Sequence, residues 1–469
     1  MMLFSFVLAA SKIGLTLNST KVIGYYQPRE NGIQLKDMDV SKITHLLYAF
    51  ATVFADGTVT FNGPGSMDWD TWNTMKIVEP ADKSCPCGTT CLKGYLNQLW
   101  RVKRDNPSLR TVLSIGGWAW SHNFSTVMKD PKARSNFIVG ATDMMTKFAF
   151  DGFDIDWEFP AATWRQESEP GYSTDKADFA NLATFLKETR DYWQSKGLPS
   201  DTILSVAMPP HLLQATEGKA VLGLLDRYCS FIMLMEYEFQ HNSIATRLGA
   251  PLFSSPDDTK DEITKNIANG IKDYTSGINK NKLVMGIPLY ATGFTNFASE
   301  GARKGTRCLG NTLNAKKDEE LAAIDYKTMM SIVNENGYNG YLYDKVRGTS
   351  MACNGTHFYS FDTVESVSQK SQYVLDQGLG GVMIWDLSQD IGKDDPSKSL
   401  LVASQNALKI KPSNDRSFDD ICLKDSQYCN LKCDYTPEKA TADYLKNNKR
   451  SSSNSLVLDV IFLILISFQ

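Results

Sequence analysis

The 469-residue chain is poor in histidine, in net charge and in long apolar runs. Its five histidines never occur at the spacing of paired metal ligands, which argues against a histidine-built metal site. Lys and Arg number 49 against 53 Asp and Glu, and the formal charge of −4 provides no basic surface for nucleic acid. No apolar run reaches the roughly 20 residues of a membrane-spanning helix. We therefore predict no metal, no cofactor and no nucleic acid partner.

Short apolar segments lie at both ends of the chain. Residues 1–17 contain the apolar run 3–10 followed by small residues, which is typical of a secretory signal peptide, although a first buried strand is an alternative. Residues 451–469 contain the run 456–468 after a polar stretch, as in a signal for glycosylphosphatidylinositol (GPI) attachment. A short membrane segment or a disordered tail are the alternatives there. We expect a secreted, extracellular protein with a GPI anchor at the cell surface or cell wall.

Cysteine usage agrees with export. Eight of the nine cysteines lie outside the apolar runs, at Cys85, Cys87, Cys91, Cys308, Cys353, Cys422, Cys429 and Cys433. The clusters lack the paired spacing of a zinc site, so disulfides are the better interpretation. Residues 412–450 are polar and form a predicted Cys-containing tail, whereas Cys229 lies in an apolar run and is predicted to be a buried free thiol. Glycosylation sequons begin at Asn18, Asn123 and Asn354.

Eight short apolar runs recur along the chain. They lie at 22–26, 45–50, 111–115, 152–158, 203–208, 231–237, 283–290 and 381–385. Runs without polar alternation are typical of strands buried on both faces, and helical patterns such as 130–150 and 258–274 lie between most of them. Eight alternations of strand and helix predict an α/β fold, the (β/α)₈ or TIM barrel. The long gap after residue 290 predicts an inserted unit.

The most informative segment is 151–158, with the sequence DGFDIDWE. Strand alternation puts Asp154, Asp156 and Glu158 on one face, which points inward in a closed barrel. Three buried carboxyls cannot all ionise cheaply, because burial and each neighbouring charge raise their pKa values. An ion-pair network is the structural alternative, but neighbouring strands contribute no cation. Glu158 lies nearest the carboxy-terminal mouth, where barrel active sites form, so we predict catalysis there.

These residues resemble the signature D-G-x-D-x-D-x-E of glycoside hydrolase family 18, the chitinase family. The similarity extends from residue 22 to about 387. It includes Gly24-Tyr25-Tyr26, Ala49-Phe50, Ser114-Ile115-Gly116-Gly117-Trp118, Met235 with Tyr237, Gly286-Ile287-Pro288-Leu289-Tyr290 and Gly380 to Asp386. The resemblance implies a catalytic barrel over residues 21–411, with an α+β insertion at about 292–358 between strand 7 and helix 7.

The resemblance also implies a retaining chitinase that works by substrate-assisted catalysis on chitin or chito-oligosaccharides. Glu158 is then the general acid/base, and Asp156 holds the N-acetyl group of the sugar. Asp154 shares a proton with Asp156, and Tyr237 bonds the N-acetyl oxygen. Trp385 is expected beneath the central sugar, with Trp118 and also Trp120 stacking its neighbours. The other expected substrate-binding residues are Tyr25, Phe50, Met235, Glu238, Ser114 and Met208. We expect a monomer.

Two departures from the family pattern qualify this prediction. Glu238 stands where relatives carry aspartate, and Thr292 stands where they carry arginine, a cation that Arg303 or Arg307 could replace. We therefore expect an altered affinity or cleavage pattern rather than inactivity. A chitin-binding lectin on the same barrel is one alternative, although such lectins typically lose the acid that Glu158 provides. An endo-β-N-acetylglucosaminidase acting on N-glycans is the other.

Overall fold

The computed structural model describes residues 20–28, 33–61, 94–211, 216–298, 300–314, 320–410 and 415–416. The predicted signal peptide, the GPI signal and the cysteines between 85 and 91 and between 422 and 433 lie outside these ranges. Secretion, anchoring and the structure of the tail therefore stay predictions. Within the described part of the chain, no helix has the length and apolar character needed to cross a membrane.

Eight parallel strands form a closed barrel, as predicted. They are β1 (Lys21–Tyr26), β2 (His45–Val53), β4 (Arg110–Gly116), β5 (Gly152–Asp156), β6 (Ile203–Met208), β7 (Phe231–Leu234), β8 (Leu283–Pro288) and β14 (Gly381–Trp385). Each strand pairs with the next in this order, and β14 pairs with β1 to close the barrel. The short strand β3 (Val59–Thr60) pairs antiparallel with β2.

Helices connect the strands and cover the outside of the barrel. The α-helices are Gly94–Asp105, Phe124–Lys129, Pro131–Lys147, Thr163–Ser168, Asp178–Ser195, Thr216–Ala220, Leu222–Tyr228, Lys260–Thr264, Ile267–Tyr274, Tyr326–Ile332, Val364–Gln377 and Leu400–Leu408. Short 3-10 helices span Leu35–Asp37, Val40–Lys42, Trp118–Trp120, Lys280–Lys282, Leu387–Gln389 and Gly392–Asp394. The pattern at 258–274 forms two helices instead of one, because Asn266 breaks the first and caps the second by accepting the Asn269 N–H.

Strand alternation separates two cores. On β6, Ile203 and Ala207 join the apolar cluster inside the barrel, whereas Leu204, Val206 and Met208 pack in the cluster between strands and helices. Met208 is fully buried there. The side chains of a strand alternate between its two faces, so the side chain of Met208 points away from the barrel interior. Its position therefore does not support the predicted contact with substrate.

The described residues of the insertion after β8 form a five-stranded antiparallel sheet and the helix Tyr326–Ile332. The strands of this sheet are β9 (Tyr290–Thr295), β10 (Glu320–Asp325), β11 (Leu342–Asp344), β12 (Thr349–Cys353) and β13 (His357–Phe361), in the order β10-β9-β13-β12-β11. A disulfide joins Cys308 to Cys353 within the insertion. Arg347 and Arg303 both pair with the barrel residue Asp258, at 2.7 and 2.8 Å. The predicted α+β insertion is thus present. It follows the seventh barrel strand, which is β8, and forms ion pairs with the barrel.

Candidate active site

Asp154 lies in the centre of a row of polar side chains across three strands. The strand register places Ser114 and Ser205 beside it on β4 and β6. Asp154 accepts hydrogen bonds from the hydroxyls of Tyr25, Ser114 and Ser205, each at 2.8 Å. Burial raises the pKa of Asp154, and the three hydrogen bonds oppose that rise. Ser205 was not predicted, although a serine inside the apolar run 203–208 was a usable signal.

Asp156 lies two residues nearer the mouth and has a different environment. The residues beside it in register are Gly116 and Ala207, whose side chains offer no hydrogen bond. The buried Oδ1 of Asp156 has no hydrogen-bond partner among the described residues. Burial, followed by the charges of Glu158 and Asp154, raises the pKa of Asp156 well above its ordinary value. This carboxyl is therefore buried, easily protonated and available to a ligand that donates a hydrogen bond.

Glu158 lies just beyond β5, at the mouth of the barrel. Burial and the charge of Glu238 raise the pKa of Glu158 to about 8, against the opposing charge of Arg165. Its N–H donates to the Ser121 hydroxyl at 2.9 Å, and the Arg165 guanidinium donates to its carbonyl oxygen. The backbone of Glu158 is therefore held on both sides. Its carboxyl carries a proton at neutral pH, as a general acid requires.

Two glycines let the end of β4 approach this site closely. Gly116 and Gly117 have φ angles of +117° and +82°, in a region that favours glycine. A Cβ on Gly116 would lie 2.1 Å from the carbonyl oxygen of Asp156, and one on Gly117 would lie 2.6 Å from the Phe50 ring. The Gly117 N–H donates to the same Asp156 carbonyl at 2.7 Å. Glycine at both positions therefore brings the loop that carries Trp118 against the acids.

Tyr237 and Met235 follow β7 and lie near the acids. Burial, then the negative charges of Asp156 and Glu158, raise the pKa of Tyr237 well above its ordinary value. Its hydroxyl therefore keeps its proton and can donate it in a hydrogen bond. Met235 is buried in the interior cluster with Tyr25 and Phe50. The structure thus brings both predicted residues to the barrel interior.

Glu238 is held by partners that the sequence did not indicate. The Tyr290 hydroxyl donates to Glu238 Oε1 at 2.7 Å, and His241 Nε2 lies 3.0 Å from its Oε2. Burial raises the pKa of Glu238, but the hydrogen bonds and the His241 charge outweigh it, and the net pKa is lowered. Glu238 therefore stays ionised and acts on Glu158 through its charge.

The cation absent at Thr292 is not replaced by the two arginines considered from the sequence. Arg303 forms ion pairs with Asp258 and Glu262. Arg307 donates to the carbonyl oxygens of Tyr338 and Gly340. Both side chains are thus engaged in structural contacts of the insertion and its junction with the barrel.

Aromatic rings lie around the acids in two groups. Trp385, at the end of β14, packs edge-on against Tyr25 at 5.3 Å between ring centroids and stacks on Phe50 at 5.6 Å. Phe50 also contacts Trp120 at 5.8 Å. Trp118 belongs to the second group, with Trp164, at a centroid distance of 6.1 Å. Trp164 was not predicted as a site residue. The sequence indicated it only through its position six residues after Glu158.

A closed (β/α)₈ barrel with a row of inward carboxyls, a protonated glutamic acid at the mouth and surrounding aromatic rings defines a class of protein. It is the class of barrel glycosidases, in which an acid and aromatic faces act on a sugar chain. The family model described as "Glycosyl hydrolases family 18" matches residues 21–390, so the chain belongs to this family. The predicted family, barrel fold and glycosidase class are confirmed.

Named relatives extend this assignment. Chitinase A1 of Niallia circulans is 29% identical over 420 residues, which are 80% of this chain and 57% of that protein. The chain thus spans little more than half the length of that relative. Endochitinase 1 of Metarhizium robertsii is 29% identical over 408 residues, or 85% of this chain and 86% of that protein.

Solved structures show the same fold. Chitinase ChiA74 from Bacillus thuringiensis superposes with a TM-score of 0.69 at 24% identity, covering 85% of this chain and 71% of that chain. The Ostrinia furnacalis Group IV chitinase in complex with allosamidin gives a TM-score of 0.67 at 24% identity, covering 84% of this chain and all of that one. These likenesses support the architecture described above.

Proposed function

We propose that this protein is a retaining chitinase that hydrolyses β-1,4-N-acetylglucosamine linkages. The observation that carries the proposal is the row of Asp154, Asp156 and Glu158, in which a protonated acid lies beside a buried carboxylate oxygen without a described partner. The family assignment and the chitinases among its relatives support the substrate. A nearly neutral chain also suits an uncharged polymer bound by aromatic faces.

In the first step, the Glu158 carboxyl protonates the glycosidic oxygen, and the bond between that oxygen and the anomeric carbon breaks. The carbonyl oxygen of the substrate's own N-acetyl group forms the new bond to the anomeric carbon, which yields an oxazolinium ion. Glu158 is left as a carboxylate. The shortened chain with its new hydroxyl leaves.

Asp156 and Tyr237 assist by holding the N-acetyl group. The unpartnered Oδ1 of Asp156 accepts the N-acetyl N–H, and its negative charge stabilises the oxazolinium ion. The Tyr237 hydroxyl donates to the N-acetyl oxygen from the other side. Asp154 takes up the proton displaced from Asp156, and its three hydroxyl donors adjust to that change.

In the second step, Glu158 acts as a base. It removes a proton from a water molecule, whose oxygen attacks the anomeric carbon and opens the oxazolinium ring. The N-acetyl group is restored and Glu158 is protonated again. Two displacements at the same carbon give net retention of configuration.

The test is hydrolysis of N-acetylglucosamine tetramer to hexamer, with the anomer of the first product read by NMR. We expect the β-anomer and inhibition by allosamidin. Glu158→Gln should lower kcat by about 10²- to 10⁴-fold while oligomer binding persists. The control Glu335→Gln changes an exposed glutamate in the insertion and should leave kcat unaltered.

Three results would contradict the proposal. Initial α-anomer would exclude retention, and undiminished cleavage by Glu158→Gln would exclude this acid. Binding of oligomers without turnover would indicate a lectin. Cleavage of a chitobiose-core N-glycan with chitin oligomers untouched would indicate an endo-β-N-acetylglucosaminidase.

We also propose that the protein is exported and GPI-anchored. The Cys308–Cys353 disulfide is compatible with an oxidising compartment. Asp415 and Arg416 pair with Arg110 and Asp151 at the amino-terminal end of the barrel strands, opposite the catalytic mouth. Release of the protein from cells by phosphatidylinositol-specific phospholipase C would support the anchor, and full retention would oppose it.

A further inference from the structure

Two large indole rings remain exposed side by side next to the acid. Trp118 is 49% exposed and Trp164 is 53% exposed, and their rings lie 6.1 Å apart at an angle of 33°. Exposed apolar side chains usually occur singly, so a contiguous aromatic surface indicates a binding role. Phe159, at 6.5 Å from Trp164, lies beside the same pair.

A buried arginine holds this pair in place. Arg165 follows Trp164 in the helix Thr163–Ser168 and is fully buried. Its guanidinium lies 3.8 Å from the centroid of the Trp118 ring and donates to the Trp118 carbonyl oxygen. The same group donates to the carbonyl oxygen of Glu158 and forms an ion pair with Glu169 at 3.0 Å. Arg165 thus connects the two tryptophans to the backbone of the acid.

We propose that Trp118 and Trp164 together form a tryptophan platform that binds further N-acetylglucosamine units of the chain being cleaved. The inference rests on the proposed function and deepens it, because it assigns a substrate contact to Trp164 and a two-ring surface to the site. A single expected stacking residue, Trp118, would hold one sugar, and the second ring extends the surface by another.

The chemistry of the platform suits a sugar chain. A pyranose presents an apolar face of C–H groups that packs on an indole ring, and its hydroxyls and N-acetyl groups stay in water. The two ring centroids lie 6.1 Å apart and the ring planes are inclined by 33°, so the rings are close enough to be contacted by one sugar chain. Arg165 fixes Trp118 before ligand arrives, which limits the ordering cost of binding. Arg165 bonds the backbones of both Trp118 and Glu158, so the platform lies next to the acid. We therefore expect it to contact the same sugar chain that Glu158 cleaves.

The platform predicts that Trp164 matters more as the substrate becomes longer. Trp164→Ala should raise KM for the hexamer by about threefold to tenfold, as expected for loss of one stacked ring, with a smaller change for a fluorogenic chitobioside. The KM of Trp164→Phe for the hexamer should lie between those of Trp164→Ala and the wild type. The control Val346→Ala removes another exposed apolar side chain, in the insertion, and should leave both values unaltered.

Binding in a Glu158→Gln background separates this inference from the proposed function. Calorimetry should show about threefold to tenfold weaker hexamer binding when Trp164→Ala is added, at an unchanged Tm. Equal hexamer affinity with and without Trp164, or a KM change independent of chain length, would overturn the platform even if the wild type is a chitinase. If the wild type cleaves no chitin oligomer, the proposed function fails, and the binding comparison still decides the platform.

Discussion

The two ends of the segment 151–158 bury acids in opposite environments. At the lower end, Asp151 lies 2.7 Å from Lys103 Nζ and 2.5 Å from Arg416 Nη1, and it accepts the Thr111 N–H at 2.8 Å. Burial raises the pKa of Asp151, but the two cations outweigh it and the net pKa is lowered. At the upper end, burial and neighbouring acids raise the pKa values of Asp156 and Glu158.

This difference shows what distinguishes a structural acid from a reactive one on a single strand. Asp151 has its charge matched and its hydrogen bonds made, so it contributes to stability. Asp156 and Glu158 are left with like charges nearby, so their protonation is easily changed. Residue type is the same, and the neighbours decide the role.

The largest expected effect comes from the upper end. Asp156→Asn keeps the volume of the side chain but removes the charge that stabilises the oxazolinium ion, so kcat should fall by about 10²- to 10³-fold. Steady-state kinetics on the tetramer would measure it. Asp151→Asn, assayed below its own unfolding temperature, should retain most of kcat. Similar losses of kcat in Asp156→Asn and Asp151→Asn would show that the two ends do not differ in their role in catalysis.

At the lower end, the change should appear in stability. Lys103→Met leaves Asp151 buried with one cation fewer, so the free energy of unfolding should fall by about 3 kcal/mol at unchanged kcat. Urea denaturation would measure it. Adding Asp151→Leu should recover part of the loss, because the buried carboxylate is then removed together with Lys103, although Arg416 loses its partner. A loss of kcat in folded Lys103→Met would show that the lower end also supports the chemistry.

The pH profile should report the upper end directly. Since the pKa of Glu158 is raised to about 8, the alkaline limb of kcat/KM should fall about tenfold per pH unit above that value. Glu238→Gln removes a negative charge that raises this pKa, so the alkaline limb should move to lower pH. An alkaline limb that stays in place in Glu238→Gln would contradict the role of Glu238.

Glu236 provides the smallest test, because, like Asp156, it is a buried acid without a compensating cation in the described part of the chain, but it lies outside the segment 151–158. It is fully buried, and neither oxygen has a hydrogen-bond partner among the described residues. Burial and the charge of Asp273 raise the pKa of Glu236 well above its ordinary value. The folded protein therefore favours the neutral form of Glu236. Its contribution to the free energy of unfolding is fully present below the pKa that Glu236 has in the unfolded chain, and it is lost as the pH rises towards the pKa in the folded protein.

Glu236→Met should consequently stabilise the fold at pH 8 by about 1 to 3 kcal/mol, and by less at pH 5. Urea denaturation at both pH values would measure the difference. Glu335→Gln serves as the exposed control. Equal effects of Glu236→Met at both pH values would show that folding does not raise the pKa of Glu236.

Much of the fold was predictable because strand period and apolar content are local properties. The eight runs at 22–26 through 381–385 became the eight barrel strands, and the period of two placed Asp154, Asp156 and Glu158 inward. The same period was overlooked for Met208, which packs outside the barrel. Asn266 divides the predicted helix at 258–274 through its cap.

The contacts between distant segments were not predictable in the same way. Ser205 meets Asp154, and Trp164 meets Trp118, only after the barrel closes, and no residue spacing encodes those distances. Sequence alone determined which acids share a face and where along the strand each one lies, because backbone geometry sets that order. The tertiary structure decided which of them carry a proton, because a pKa depends on the charges and the burial that other segments bring. Lys103 and Arg416 keep Asp151 ionised, whereas burial and Glu238 leave Glu158 protonated.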